Sequence, residues 1–217
     1  MDSAAGLDLK TVVPTDTDAN ILVGYQAQRD LILDLYRSPH ATVQEIAWGG
    51  GNTVSNAILK PLSCGVITVN STGPTAAPVF GYRTFSHPTN LNIIFESIRK
   101  IREWMASAAT QEIKPVETYP GANVTSDADI AEAIRNFALS TWAYPTGSCS
   151  MMPLKYGGVL DPQLRVYGVQ SLRVVDASMM PMIIGSHTPS TVYAVAERVR
   201  HLLVCHEPSH ANTWIPL

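Results

Sequence analysis

The sequence of 217 residues has few cysteines, few charged residues and no long apolar run, and each shortage excludes a class of protein. Its three cysteines, Cys64, Cys149 and Cys205, are widely spaced and form no CxxC pair, so neither a disulfide framework nor a cysteine metal site is expected. This favours reduced thiols in a cytoplasmic protein. No apolar run approaches the roughly 20 residues that span a bilayer, and the first residues lack the basic and apolar regions of a secretory signal.

An excess of charge of one sign is also missing. Charged residues make up 15% of the chain and the net charge is −3, so neither nucleic acid nor a membrane surface is expected as a partner. The hydrophobic fraction of 46% is sufficient for a full core. We expect a loose lead-in over 1–18, one domain over 19–204 and a tail over 205–217.

A complete dinucleotide-binding turn is absent from the sequence. The only glycine cluster is 49–52, and a GxGxxG pattern started at Gly49 places Val54 where the last glycine belongs. The cluster follows no convincing parallel strand, so we interpret it as a loop. No cofactor-binding residue and no metal ligand is therefore predicted.

What the sequence does contain is a series of helices and short strands in irregular order. Apolar periodicity and capping residues predict helices over 18–37, 90–109, 126–140 and from Pro189 to about 204, and strands over 65–70, 79–83 and 172–176. The last strand is β-branched and apolar, as expected for a strand buried on both faces. This order is typical of an α+β fold with a mostly antiparallel sheet and packed helices.

Turn residues concentrate in the last third of the chain. Thr188, Pro189 and Ser190 supply a capping hydroxyl and a preset φ ahead of a helix. His187 lies in the loop just before that helix, where an imidazole can reach a ligand and titrate near neutrality. A strand, a loop carrying His187 and a helix N-terminus in succession indicate a ligand site.

These segments resemble the C-terminal signature of the glucose–methanol–choline (GMC) family of FAD-dependent oxidoreductases, and a weaker likeness starts at the PxSxG pattern over 61–65. The resemblance covers most of the chain and implies the fold of that family's C-terminal, substrate-binding part. The matching pieces are PTGSC at 145–149, GVLDP at 158–162, LRVYGV at 164–169, LRVVDAS at 172–178, Pro181 and VYAVAE at 192–197.

The resemblance also implies where the active site lies. His187 aligns with the family's second active-site position, whereas Tyr144 occupies the position of the family's catalytic histidine. A phenol is a weak base at neutral pH, so Tyr144 is better suited to donate a hydrogen bond or a proton. We predict that His187 and Tyr144 are catalytic. Four further side chains are expected to bind the substrate: Trp142, Ser148, Met151 and Ser186.

The missing dinucleotide turn and the missing base leave three hypotheses. The first is a flavin-free enzyme that isomerises or cyclises an apolar specialised metabolite, including pericyclic ring closure, without any cofactor. The second is the substrate domain of a split or truncated FAD-dependent alcohol oxidase or dehydrogenase, with FAD held together with a partner domain. The third is a non-catalytic ligand-binding accessory protein. The apolar faces of 172–176 and of the following helix need cover, for which we predict a homodimer.

Overall fold

The computed structural model describes residues 7–48, 53–70, 72–73, 75–141 and 143–206. Within them, two helices come first, two small antiparallel sheets follow, and the remaining helices come after the strands, which confirms the α+β class. The helices are α1 (Leu9–Val12), α2 (Ala19–Arg37), α3 (Pro88–Met105), α4 (Ala108–Gln111), α5 (Asp127–Phe137) and α6 (Pro189–His206). The strands are β1 (Gln44–Trp48), β2 (Val54–Ile58), β3 (Val66–Thr68) and β4 (Val79–Gly81), and short 3-10 helices cover Leu154–Tyr156 and Ala177–Met179.

Helix α2 agrees with the predicted bounds because its cap is local. The carboxylate of Asp18 accepts a hydrogen bond from the backbone of Asn20 at 2.7 Å, which satisfies one of the amides that the first turn leaves unpaired. Ile32 and Leu33 are buried against Leu62. Ile21, in the first turn of the same helix, is 50% exposed.

Helices α3 and α5 pack against each other and form a buried core. Ile130 is fully buried at 0% exposure, and side chains of this kind stabilise a fold by about 1.5–3 kcal/mol each. The apolar stripe predicted for α3 is confirmed, although the helix ends at Met105 and a separate short helix follows. Phe137, the last residue of α5, is 66% exposed. The cluster contains Leu91, Ile94, Phe95, Ile98, Ile130, Ala131 and Ile134.

Both small sheets are hairpins. Strands β1 and β2 pair in antiparallel register from Gln44 opposite Ile58 to Trp48 opposite Val54, a hairpin that the sequence analysis missed. The glycine cluster 49–52 lies outside the described residues. Strands β3 and β4 confirm the two strands predicted around 65–70 and 79–83, in shorter form.

The strand predicted over 172–176 is wrong. In the part of the chain that the structure describes, this segment forms only an isolated bridge between Arg173 and Arg165. Only the short stretch 164–166 lies beside it, where Val166 N donates to Leu172 O and Val174 N donates to Leu164 O, and neither of the two described sheets includes it. Val174 and Val175 pack on the buried core of the C-terminal third instead, which comprises Leu160, Leu164, Met179, Met180 and Val199.

Candidate functional site

A concave region of about 2030 Å³ opens between α2, the β1–β2 hairpin and the loops of the C-terminal third. Of the six predicted site residues, four lie on its wall: Tyr144, Ser148, Ser186 and His187. We call this region the cavity. The structure therefore brings together at one surface residues that are up to 43 positions apart within the C-terminal third (187 − 144).

His187 forms the central polar contact of the cavity, and its partner comes from the β1–β2 hairpin. Its Nδ1 lies 2.6 Å from Oε1 and 2.7 Å from Oε2 of Glu45, which is 142 positions earlier in the chain. The Glu45 side chain is 24% exposed, so solvent screens the pair only in part, while the imidazole is 55% exposed. A carboxylate at Nδ1 orients the ring and selects the tautomer whose Nε2 carries the lone pair.

The segment before His187 is attached to the N-terminal part of the chain at several points. The Gln28 side chain on α2 donates to Pro181 O at 2.9 Å, and the Lys60 ammonium donates to Ile183 O. A Cβ added at Gly185 would lie 3.4 Å from the Thr42 side chain, so the backbone at Gly185 lies close to the segment that leads into β1. We call residues 181–187 the His187 loop.

Tyr144 and Ser148 are presented by a second loop that the backbone holds in place. The amides of Gly147 and Cys149 both donate to Ser178 O at 3.1 Å. Ser178 is in turn fixed by Asp176, whose carboxylate accepts from the Ser178 amide at 2.8 Å. Asp176 therefore caps a 3-10 turn, and Tyr144, 44% exposed, stands on the side of the cavity.

Two predicted substrate-binding residues are not seen on the cavity wall. Met151 donates its amide to Met179 O at 2.9 Å, and its side chain borders a separate, small depression of about 110 Å³ shared with Leu160. Trp142 lies outside the described residues.

The sequence analysis missed Glu45 and Lys60, two charged residues whose side chains contact the His187 loop. Glu45 lies in β1, whose sequence QEIAW does not alternate in polarity and is intermediate in burial throughout, so no clear strand signal marks it. No local pattern could have paired it with His187, since the contact joins distant parts of the chain.

A comparison with known families identifies the class of protein. Residues 61–196 match the family model of the GMC oxidoreductases. The chain belongs to this family, as the C-terminal signature implied.

Individual relatives give the same result. Dehydrogenase xptC of Emericella nidulans is 30% identical over 203 residues, which cover 94% of this chain and 33% of that protein. Pyranose dehydrogenase 3 of Leucoagaricus meleagris is 36% identical over 146 residues, covering 67% of this chain and 24% of that protein. The chain thus spans a third or less of the length of these relatives.

Solved structures confirm the fold. A FAD-dependent oxidoreductase from Chaetomium thermophilum, solved with a bound fragment, superposes with a TM-score of 0.86 at 34% identity, over 93% of this chain and 35% of that one. A fungal aryl-alcohol oxidase gives a TM-score of 0.78 at 32% identity, over 94% and 34% respectively.

The described residues do not fit the diphosphate of FAD. Helix N-termini bind phosphate through unpaired amides, and a nearby carboxylate opposes this. Helix α2 begins at the carboxylate of Asp18, and the first turn of α5 carries Asp127 and Asp129. Helices α3 and α6 both begin with a proline, at Pro88 and Pro189, instead of a glycine-rich turn.

The described ranges contain neither a membrane-spanning helix nor a metal-binding cluster. No helix there has the length and apolarity needed to cross a membrane. Nor do three or more histidine, cysteine or acidic side chains converge there on a position that could hold a metal ion.

Proposed function

We propose that this chain is the substrate-binding portion of a FAD-dependent alcohol oxidase or dehydrogenase. The observation that carries the proposal is the Glu45–His187 pair on the wall of the cavity, in a chain of the GMC family. The relatives are dehydrogenases and oxidases, which supports this function over the flavin-free isomerase or cyclase. The loss of a dinucleotide turn from these residues is explained if another segment supplies it.

His187 is the proposed base. With Glu45 at Nδ1, its Nε2 accepts the hydroxyl proton of the alcohol, and the carboxylate stabilises the imidazolium that results. Tyr144 donates a hydrogen bond to the substrate oxygen from the opposite loop. FAD, when bound, supplies the hydride acceptor that alcohol oxidation requires. Since the described residues do not fit its diphosphate, we assign the flavin to a segment outside these 217 residues.

The substrate is an apolar alcohol. The outer wall of the cavity carries exposed apolar side chains and is therefore suited to bind hydrocarbon or aromatic groups. These side chains, with their exposed fractions, are Ile113 (58%), Val116 (82%), Phe137 (66%) and Leu139 (77%).

The test uses the protein that contains these 217 residues, purified and examined first by its absorption in the near ultraviolet and blue. We expect a flavin spectrum and reduction of an artificial electron acceptor with apolar primary alcohols. His187→Gln should lower kcat by about 10²- to 10⁴-fold, the usual contribution of a general base. The matched variant His40→Gln, at an exposed histidine, should retain full activity. A colourless protein that consumes no alcohol would refute the proposal.

A further inference from the structure

Lys60 is a buried cation whose role the proposed function does not explain. It lies two positions after the end of β2, it is 8% exposed, and it lines the cavity. Its ammonium donates to Leu59 O at 3.3 Å and to Ile183 O. None of the ion pairs found in the described part of the chain includes Lys60, and burial lowers its pKa.

The two ends of this contact lie on the two segments that form the candidate site. On one side, Lys60 continues the hairpin that carries Glu45, and Tyr36 on α2 fixes it by donating to Lys60 O at 2.5 Å. On the other side, Ile183 precedes His187 by four positions in the His187 loop. The Lys60 contact therefore joins the hairpin to the loop at a second point, besides the Glu45–His187 pair itself.

A lysine is energetically unfavourable for a purely structural contact at this position. Burial of an ammonium without a carboxylate partner is unfavourable, and an aliphatic residue of similar volume would avoid that cost. What the ammonium adds is a charge-assisted hydrogen bond, stronger than a neutral one, directed at a backbone carbonyl. Such a bond fixes the loop backbone, whereas apolar packing would permit sliding.

We propose that Lys60 is a positioning residue that holds the His187 loop so that His187 Nδ1 meets the Glu45 carboxylate. The expected effect of Lys60 on catalysis rests on the proposed function, because Lys60 acts through the proposed base, His187. The structural part of the proposal, the alignment of the pair, does not depend on which reaction the protein catalyses.

The first experiment compares Lys60→Met with Lys100→Met, a lysine on the exposed face of α3. We expect Lys60→Met to lower kcat by up to about a hundredfold, the effect of a small misplacement of a catalytic group, with KM changed by less than about threefold because apolar binding remains. Lys100→Met should leave both constants unchanged. Lys60→Gln, which keeps a neutral donor, should fall between Lys60→Met and the unmodified protein.

A spectroscopic readout separates positioning from activity. The hydrogen-bonded Nδ1 proton of His187 should give a low-field proton resonance that disappears in His187→Gln. We expect Lys60→Met to shift or broaden this resonance. If the unmodified protein oxidises no alcohol, the proposed function fails, yet this resonance still tests the role of Lys60. An unchanged resonance in Lys60→Met would overturn the inference.

A double-mutant cycle completes the test. If Lys60 acts through the pair, Lys60→Met should cost little further activity once Glu45→Gln has removed the contact. If the losses of activity in Lys60→Met and Glu45→Gln instead multiply in the double variant, Lys60 has a merely structural role. Should Lys60→Met fail to fold, Lys60→Gln takes its place in the cycle with the same criterion.

Discussion

The single contact on which the proposed chemistry depends is the one from Glu45 to His187. Replacing Glu45 by Gln keeps the shape of the side chain but removes the charge that orients the ring and stabilises its protonated form. We expect kcat for alcohol oxidation to fall by about 10- to 100-fold, less than for loss of the base itself. Steady-state kinetics check this, with Glu112→Gln, at an exposed carboxylate, as the matched control. Equal activity of the two variants would contradict the assignment.

A second residue, His87, links stability to pH. The side chain is fully buried, and its Nδ1 caps α3 by accepting a hydrogen bond from the Thr89 amide at 3.3 Å. Burial lowers the pKa of His87 below 6.5, and the positive charge of Arg29 lowers it further. Below that value the unfolded chain takes up a proton that the folded chain does not. The free energy of unfolding should therefore fall as the pH drops from about 7 toward 5.

Urea denaturation across this pH range checks the expectation. The variant His87→Asn retains a capping acceptor but cannot titrate, so its free energy of unfolding should depend less steeply on pH than that of the unmodified protein. Identical slopes for the two proteins would show that His87 does not contribute.

At the scale of elements, α2 is attached to the C-terminal third by a backbone contact. Alanine is normally better than glycine in a helix by about 1 kcal/mol. At Gly24, however, an added Cβ would lie 2.1 Å from Tyr156 O in a 3-10 turn. We expect Gly24→Ala to destabilise the protein by about 1–3 kcal/mol through overpacking. Gly73→Ala, with no atom within 4 Å of its Cβ, should be neutral in thermal unfolding; destabilisation by both would point to a general effect of losing glycine.

Elements that are specified locally were the ones that the sequence could predict. The caps at Asp18 and Ser126 and the apolar stripe of α3 are all encoded within a few residues, and those helices are confirmed. The strand over 172–176 failed because β-branched composition is a preference that only a neighbouring strand can satisfy. The hairpin of β1 and β2 was missed because the sequence between these strands contains a glycine cluster, which was interpreted as a loop without flanking strands.

The candidate site was predictable in part for the same reason. Tyr144, Ser148, Ser186 and His187 were found through a motif, and they do line the cavity. Glu45 and Lys60 were not found, because their contacts with the His187 loop depend on tertiary packing. The motif thus predicts four of the residues that line the cavity, whereas Glu45 and Lys60 needed the tertiary structure to be noticed.

For the whole molecule, the apolar wall of the cavity has consequences for solution behaviour. Exposed apolar patches of this kind mark interaction surfaces. We expect the isolated 217-residue chain to bind the dye 1-anilinonaphthalene-8-sulfonate and to self-associate. The same residues joined to a flavin-holding segment should not self-associate. Fluorescence and light scattering check this, and an isolated chain that is monomeric and binds no dye would contradict it.

The 142 positions that separate Glu45 from His187 also set the order of events during synthesis on the ribosome. At about 5–20 residues per second, the imidazole is made about 7–30 s after its carboxylate. Until then the emerging hairpin carries Glu45 without its partner, and any product that terminates before His187 lacks the proposed base. The Glu45–His187 pair is therefore completed in one step, when the His187 loop has been made and can pack on the hairpin.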